Sequence, residues 1–261
     1  MSATRLEARL RAVRAEGRTA LLPYLMAGFP DKRAFDALLA RVAERADVVE
    51  LGLPFSDPTA DGPVIAAAAR RALAEGVHLA WVCALAERVR AGAGLVLMSY
   101  VNPLLAFGLE RALAALAAAG FDGLIVPDVP LEESAELRAL ADAHDLALVQ
   151  LVTPLTPPAR RRALARASRG FVYAVTRAGT TGARADTDAI EPQLDELRAH
   201  SPLPVCAGFG VRTAEQVRAL APHCDGVIVG SALVERLQRG EDPAPFLDSL
   251  REAAAAAGAC R

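Results

Sequence analysis

Lysine is almost missing from this chain. Of 29 basic residues in 261, only Lys32 is a lysine. An imine-forming enzyme needs a lysine amine at its site. Lys32 falls on the first helix after the first strand, so that chemistry is not expected here. Cysteine is also scarce. Cys83, Cys206, Cys224 and Cys260 form no C-x-x-C pair, which argues against a disulfide framework or a zinc site and makes a reducing, cytoplasmic setting the expectation. Charge of either sign is not in excess: 29 basic residues face 31 acidic ones, for a net −2. No overall field draws the chain to nucleic acid or to an anionic membrane, and its basic clusters read as solvated helix faces. The first segment carries Glu7 and Glu16 and reads as a helix, not a signal peptide. The longest uncharged run, 91–109, contains Ser99, Asn102, Pro103 and several glycines. A buried strand with its loop explains it better than a membrane span.

What the chain does have is rhythm. Short apolar, β-branched runs recur at 20–26, 47–53, 95–100, 123–127, 146–152, 171–176, 203–207 and 225–229, separated by Ala/Leu/Arg/Glu-rich stretches with helical spacing. Phe35, Leu38, Leu39, Val42 and Ala46 form one such apolar stripe. Glu132, Glu133 and Glu136 place acids in the first turn of another helix, and Thr213 with Gln216 suggests a capping box. Eight strands, apolar on both faces and alternating with helices, predict an α/β fold: a (β/α)8 TIM barrel over 1–261 as one domain. Extra helices are expected before the first strand (about 3–16) and after the eighth (about 243–258). The competing open sheet lacks a G-x-G-x-x-G after its first strand.

In such a barrel, function gathers where the strands end. That rule puts Glu50, Asp57, Asp61, Tyr100, Asn102, Asp128, Tyr173, Thr176 and Arg177 at the productive end. It puts His144, His200 and His223 at the opposite end, and His78 at a helix start. With no imidazole near the site, a metal-dependent reaction is not expected. What remains is acid–base chemistry by carboxylates, with a tyrosine in support. Glu50 stands out because an acid among Val48, Val49, Leu51 and Leu53 is costly to bury. Asp61 can fold back over it from the Pro-rich loop 54–63. Gly208-Phe209-Gly210 and Gly230-Ser231 follow the last two strands, where barrels hold phosphate on backbone N–H groups and a helix N-terminus. The Gly/Thr-rich stretch 177–186 reads either as a lid or as a plain surface connection.

These residues resemble the tryptophan synthase alpha chain family along nearly the whole length. The resemblance is carried by Leu21-Leu22-Pro23-Tyr24 with Ala27-Gly28, by the segment from Glu50 to Pro63, and by Asp128-Val129-Pro130-Leu131-Glu132-Glu133-Ser134. Arg177-Ala178-Gly179-Thr180-Thr181-Gly182, Gly208-Phe209-Gly210 and Gly230-Ser231 complete it. The resemblance implies cleavage of indole-3-glycerol phosphate to indole and glyceraldehyde 3-phosphate, a lyase step in tryptophan biosynthesis. It implies that Glu50 is the acid–base group, that Asp61 accepts the indole N–H, and that Tyr173 lies near the glycerol chain. Leu22, Tyr100 and Ile125 would hold the ring, and Gly182, Phe209, Gly210, Gly230 and Ser231 the phosphate. Burial would raise the pKa of Glu50, while a different setting would keep Asp61 ionised. The chain itself would use no metal and no cofactor. A beta chain carrying pyridoxal phosphate would be its partner, in an alpha2beta2 assembly, with Asp57, Arg177 and Thr181 in the coupling loops. Gly28-Phe29-Pro30 departs from the commoner Gly-Asp-Pro, Ser99 to Pro103 is less aromatic than usual, and Thr180 replaces a frequent valine. None of these touches the two acids.

Three other readings stay open from the residues alone. One is a different phosphate-sugar isomerase or epimerase on the same barrel. Another is a non-catalytic subunit that only activates a partner, and the third is a stand-alone lyase that releases free indole.

Overall fold

A strand that is apolar on both faces needs cover on both. A closed barrel provides it, with side chains filling the inside and helices packing outside. The computed structural model describes residues 4–89, 92–176, 187–208 and 210–258. Its strands are β1 (Ala20–Met26), β2 (Val48–Gly52), β3 (Gly94–Met98), β4 (Gly123–Ile125), β5 (Ala147–Val152), β6 (Val172–Val175), β7 (Val205–Gly208) and β8 (Gly226–Val229). They pair in chain order, all parallel, and β8 closes on β1 with Ala20 opposite Gly226 and Pro23 opposite Val229. The fold is a TIM barrel with extra terminal helices. Every strand residue is buried except the partly buried Leu151.

The helices are α1 (Arg5–Ala15), α2 (Phe35–Ala43), α3 (Pro63–Ala74), α4 (Leu79–Val89), α5 (Val101–Phe107), α6 (Leu109–Ala118), α7 (Ala135–Ala143), α8 (Pro158–Ala167), α9 (Thr187–His200), α10 (Ala214–Leu220), α11 (Ser231–Gln238) and α12 (Pro243–Gly258). The extra helix α1 is capped by Thr4, whose side chain accepts from the Glu7 N–H. It buries Leu6, Leu10 and Val13 on one stripe. Its arginines reach the floor of the barrel: Arg5 donates to the Phe121 carbonyl, Arg9 to Gly92 and Arg11 to Pro202.

Four sequence-level details come out differently. Lys32 lies in the turn before α2, not on it; its amine donates to the carbonyls of Glu75 and Gly76 and lies over the Trp81 ring. Ala46 lies past the end of α2, so the stripe ends at Val42 and Ala43. Glu132 and Glu133 belong to a separate 3-10 turn, Leu131–Glu133, and only Glu136 sits in the first turn of α7. Thr213 does cap α10, accepting from the Gln216 N–H, but Gln216 reaches back to the N–H of Arg212 rather than of Thr213. The uncharged run 91–109 is divided between β3 and α5. Among the described residues no single helix is long and apolar enough to cross a membrane. The α5/α6 pair passes that test only jointly and is bent by 94°.

Candidate active site

Alternation along β2 places Val48, Glu50 and Gly52 on one face. Glu50 is paired across the sheet with Tyr24 on β1 and Val96 on β3. It is only 6% exposed. Beyond β2 the loop runs through Pro54 and Pro58, then turns into α3 with Gly62 as N-cap and Pro63 in the first turn. Asp61 is thus held just before a helix start and returns over the strand that carries Glu50. Tyr100, at the start of α5, anchors this loop. Its hydroxyl accepts the Ala60 N–H at 2.9 Å and bonds the Asp61 carboxylate, and its ring packs on Phe55 at 5.4 Å.

Glu50, Asp61 and Tyr173 line one cavity at the carboxyl ends of the strands, with Gly210, Gly230 and Ser231 on its far side. Burial is the main reason Glu50 is raised to about 8, and the charge of Asp61 adds to it. Asp61 is raised too, to about 6, again by burial, with the Tyr100 hydroxyl pulling it back. At neutral pH the first acid keeps its proton and the second has lost it. Asp61 is nevertheless closer to titrating than a solvated aspartate would be. Tyr173 is buried and held well above its ordinary range by desolvation, so its phenol stays protonated.

The far side of the cavity suits an oxyanion. Gly210 has φ of 88°, in the left-handed region that favours glycine. Gly230 caps α11, and Ser231 is its first residue. The helix N-terminus leaves backbone N–H groups unpaired and aims its dipole at the cavity. No lysine or arginine among the described residues lines it. Among the described residues, no cluster of three or more His, Cys, Asp or Glu side chains could hold a metal.

Other expected site residues sit elsewhere. Leu22 and Ile125 are buried in the barrel wall, and with Tyr100 they are outside the residues lining the cavity. Asp57 is exposed on the β2–α3 loop and accepts from Ser56 Oγ. Asp128 accepts the Val101 N–H and so serves the start of α5. Arg177, Thr180, Thr181, Gly182 and Phe209 lie outside the described residues. The histidines stay away from the cavity: His223 lies beside Asp195 and Glu191, His78 Nδ1 accepts from Trp81 N–H at the start of α4, and His200 is exposed.

Sequence reasoning missed four lining residues: Tyr24, Ile65, Met98 and Ile228. Tyr24 carried a signal, since its hydroxyl is the only polar side-chain group in β1. Ile65 follows Asp61 by one helical turn. Met98 and Ile228 look like ordinary strand residues, and nothing local marks them.

A family model described as tryptophan synthase alpha chain matches residues 10–257. The tryptophan synthase alpha chain of Nitratidesulfovibrio vulgaris strain Hildenborough is 46% identical over 256 residues, covering 97% of this chain and all of that protein. That of Geobacter sulfurreducens is 42% identical over 260 residues, covering 96% and 98%. Among solved structures, a chain of Mycobacterium tuberculosis tryptophan synthase superposes with a TM-score of 0.87 at 40% identity, covering 99% of this chain and 98% of that one. The same enzyme has been solved in an aminoacrylate-bound form. The alpha subunit from Legionella pneumophila superposes at 0.88 with 32% identity, covering 97% and 99%.

Proposed function

Because the chain belongs to the tryptophan synthase alpha chain family, the lyase that cleaves indole-3-glycerol phosphate in tryptophan biosynthesis, we propose that Glu50 and Asp61 carry the cleavage in the cavity they share. The family's reaction uses no metal and no cofactor in this chain; pyridoxal phosphate belongs to the beta chain. Glu50, protonated near neutrality, donates to C3 of the indole ring. The Asp61 carboxylate accepts the ring N–H and stabilises the positive charge that C3 protonation creates. The carbon–carbon bond then breaks, its electrons return to the ring, and the proton of the adjacent glycerol hydroxyl passes to the Glu50 carboxylate. Indole and an aldehyde leave, and Glu50 is again an acid. The ring is its own electron sink, so no imine is required.

Tyr173 lies against the glycerol chain, and Gly210, Gly230 and Ser231 take the phosphate, together with Phe209 and Gly182. Leu22, Tyr100 and Ile125 shape the ring pocket, with Tyr100 acting through Asp61. The partner in this reading is a beta chain in an alpha2beta2 assembly, to which the relatives solved as tryptophan synthase lend support. Asp57, Arg177 and Thr181 would carry the coupling. The setting is the cytoplasm, and the barrel is read as one domain.

The observation that carries this reading is one cavity lined by two acids, Glu50 buried and Asp61 half-buried, with their pKa values set apart, about 8 and about 6. The test is indole release from indole-3-glycerol phosphate, with and without an added beta chain. Glu50→Gln is expected to lower kcat by about 10²–10⁴-fold while the folded protein persists. The pH profile of kcat/KM is expected to be a bell with limbs near 6 and 8, belonging to the pair rather than to either acid. Full activity in Glu50→Gln would remove the assignment.

A further inference from the structure

Tyr24 is a buried polar group lining the cavity that the mechanism above does not use. It is 6% exposed, and its hydroxyl has no hydrogen-bond partner among the described residues. Such a group costs about 1–3 kcal/mol when left unmade. It also lines the cavity beside Glu50 and Asp61. The ring lies across the cavity wall from the phosphate side to the carboxylate side. A methyl placed on Gly230 would sit 3.4 Å from Tyr24 Cβ, and one placed on Gly52 would sit 2.0 Å from Tyr24 Oη. Gly52 is therefore the residue that lets the phenol lie flat over β2. Any larger side chain there would meet the hydroxyl.

We propose that Tyr24 is a further substrate-binding residue, whose phenol donates a hydrogen bond to an alcohol oxygen of the substrate's three-carbon chain. This rests on the reading of the cavity as the indole-3-glycerol phosphate site. The chain must bridge the phosphate loops and the acids, and Tyr24 spans the same interval. Of the substrate's polar groups, the ring N–H is a donor and cannot accept from a phenol. The phosphate is taken at the opposite end, near Gly230. The two alcohol oxygens are the acceptors left. Burial and the charges of Asp61 and Glu50 hold the phenol well above its ordinary range, so it remains a donor at every working pH.

The test compares Tyr24→Phe with the parent on two ligands. One is indole-3-glycerol phosphate. The other is an indole carrying a propyl phosphate chain that lacks both alcohols. Tyr24→Phe is expected to lower kcat/KM for the substrate about fivefold to tenfold, while the dissociation constant of the deoxy analogue changes by less than about twofold. The Tm of the free variant is expected to equal or exceed the parent's, because an unsatisfied hydroxyl has been removed. Unchanged kcat/KM overturns the proposal. So does equal weakening of both ligands, a shift of the pH limits, or a lowered Tm, each of which assigns the hydroxyl to a partner within the protein. Glu50→Gln, run alongside, separates the two levels. If it stays active, the reading of the cavity fails and this proposal with it; if it is inactive while Tyr24→Phe matches the parent, only Tyr24 is misassigned.

Discussion

Acids stand at both ends of this barrel, in opposite circumstances. At the amino end of the strands, Asp47, Asp122 and Asp225 each sit one residue before a strand, and each accepts a backbone N–H from the preceding strand: Leu21 at 2.9 Å, Leu95 at 3.0 Å and Val205 at 2.9 Å. Each also has an arginine: Arg18 for Asp47, Arg5 for Asp122, and both Arg14 and Arg198 for Asp225. At the carboxyl end, Glu50 and Asp61 are raised by burial, and among the described residues no cation opposes it. A carboxylate that accepts an N–H and meets a guanidinium is satisfied and fixes the register of neighbouring strands. A carboxyl group buried without either, as Glu50 is, holds its proton at neutral pH and can give it away. One residue chemistry thus does structural work at one end and, in the function proposed above, reactive work at the other, and the difference lies in the partners.

That contrast can be tested by removing one acid at a time. The largest effect expected on stability is at Glu50. Its pKa is about 8 in the fold against an ordinary 4.5, so below 4.5 both states carry the proton and it costs nothing. Between 4.5 and 8 the unfolded chain ionises while the folded one does not, and stability falls as pH rises. Above 8 the cost is constant. Glu50→Gln removes this slope, so its stability advantage should grow from pH 4.5 to pH 8, reaching about 4–5 kcal/mol. Denaturant unfolding at several pH values measures it, and a variant that tracks the parent at every pH would mean that Glu50 is not held protonated. The next effect runs the other way. Asp225 is 1% exposed, and Asp225→Ala strands the Val205 N–H and two arginines. It should destabilise by about 3 kcal/mol yet leave kcat of the folded fraction unchanged. A selective loss of kcat would erase the division between the two ends. The smallest effect is at the rim. The Arg5 side chain is 59% exposed, and Arg5→Ala should cost under about 1 kcal/mol in thermal unfolding; a larger loss would mean that α1 depends on this one pair.

Much of this was legible from residues alone. Strand positions follow from apolar runs whose local pattern survives in the fold, and observed boundaries move by only a few residues. Glu50 was visible because an acid in an apolar strand conflicts with its neighbours. Gly210 and Gly230 were visible because glycine after a strand has a short list of uses. The site was less legible where identity is common and position is everything. Leu22 and Tyr24 sit on the same face of β1, yet only Tyr24 lines the cavity, because only the later residue reaches the mouth. Asp47, Asp122 and Asp225 look like scattered surface acids until the strands are paired.

The sequence by itself determined the barrel, the two acids as candidates and the glycines that follow the last two strands, because periodicity, burial cost and backbone freedom are local properties that neighbouring residues reveal. Only the tertiary structure decided that Tyr24 lies over Gly52, that Asp61 folds back beside Glu50, and that three aspartates tie strands together below. Those depend on register between segments far apart in the chain, and register is settled by packing the whole core at once.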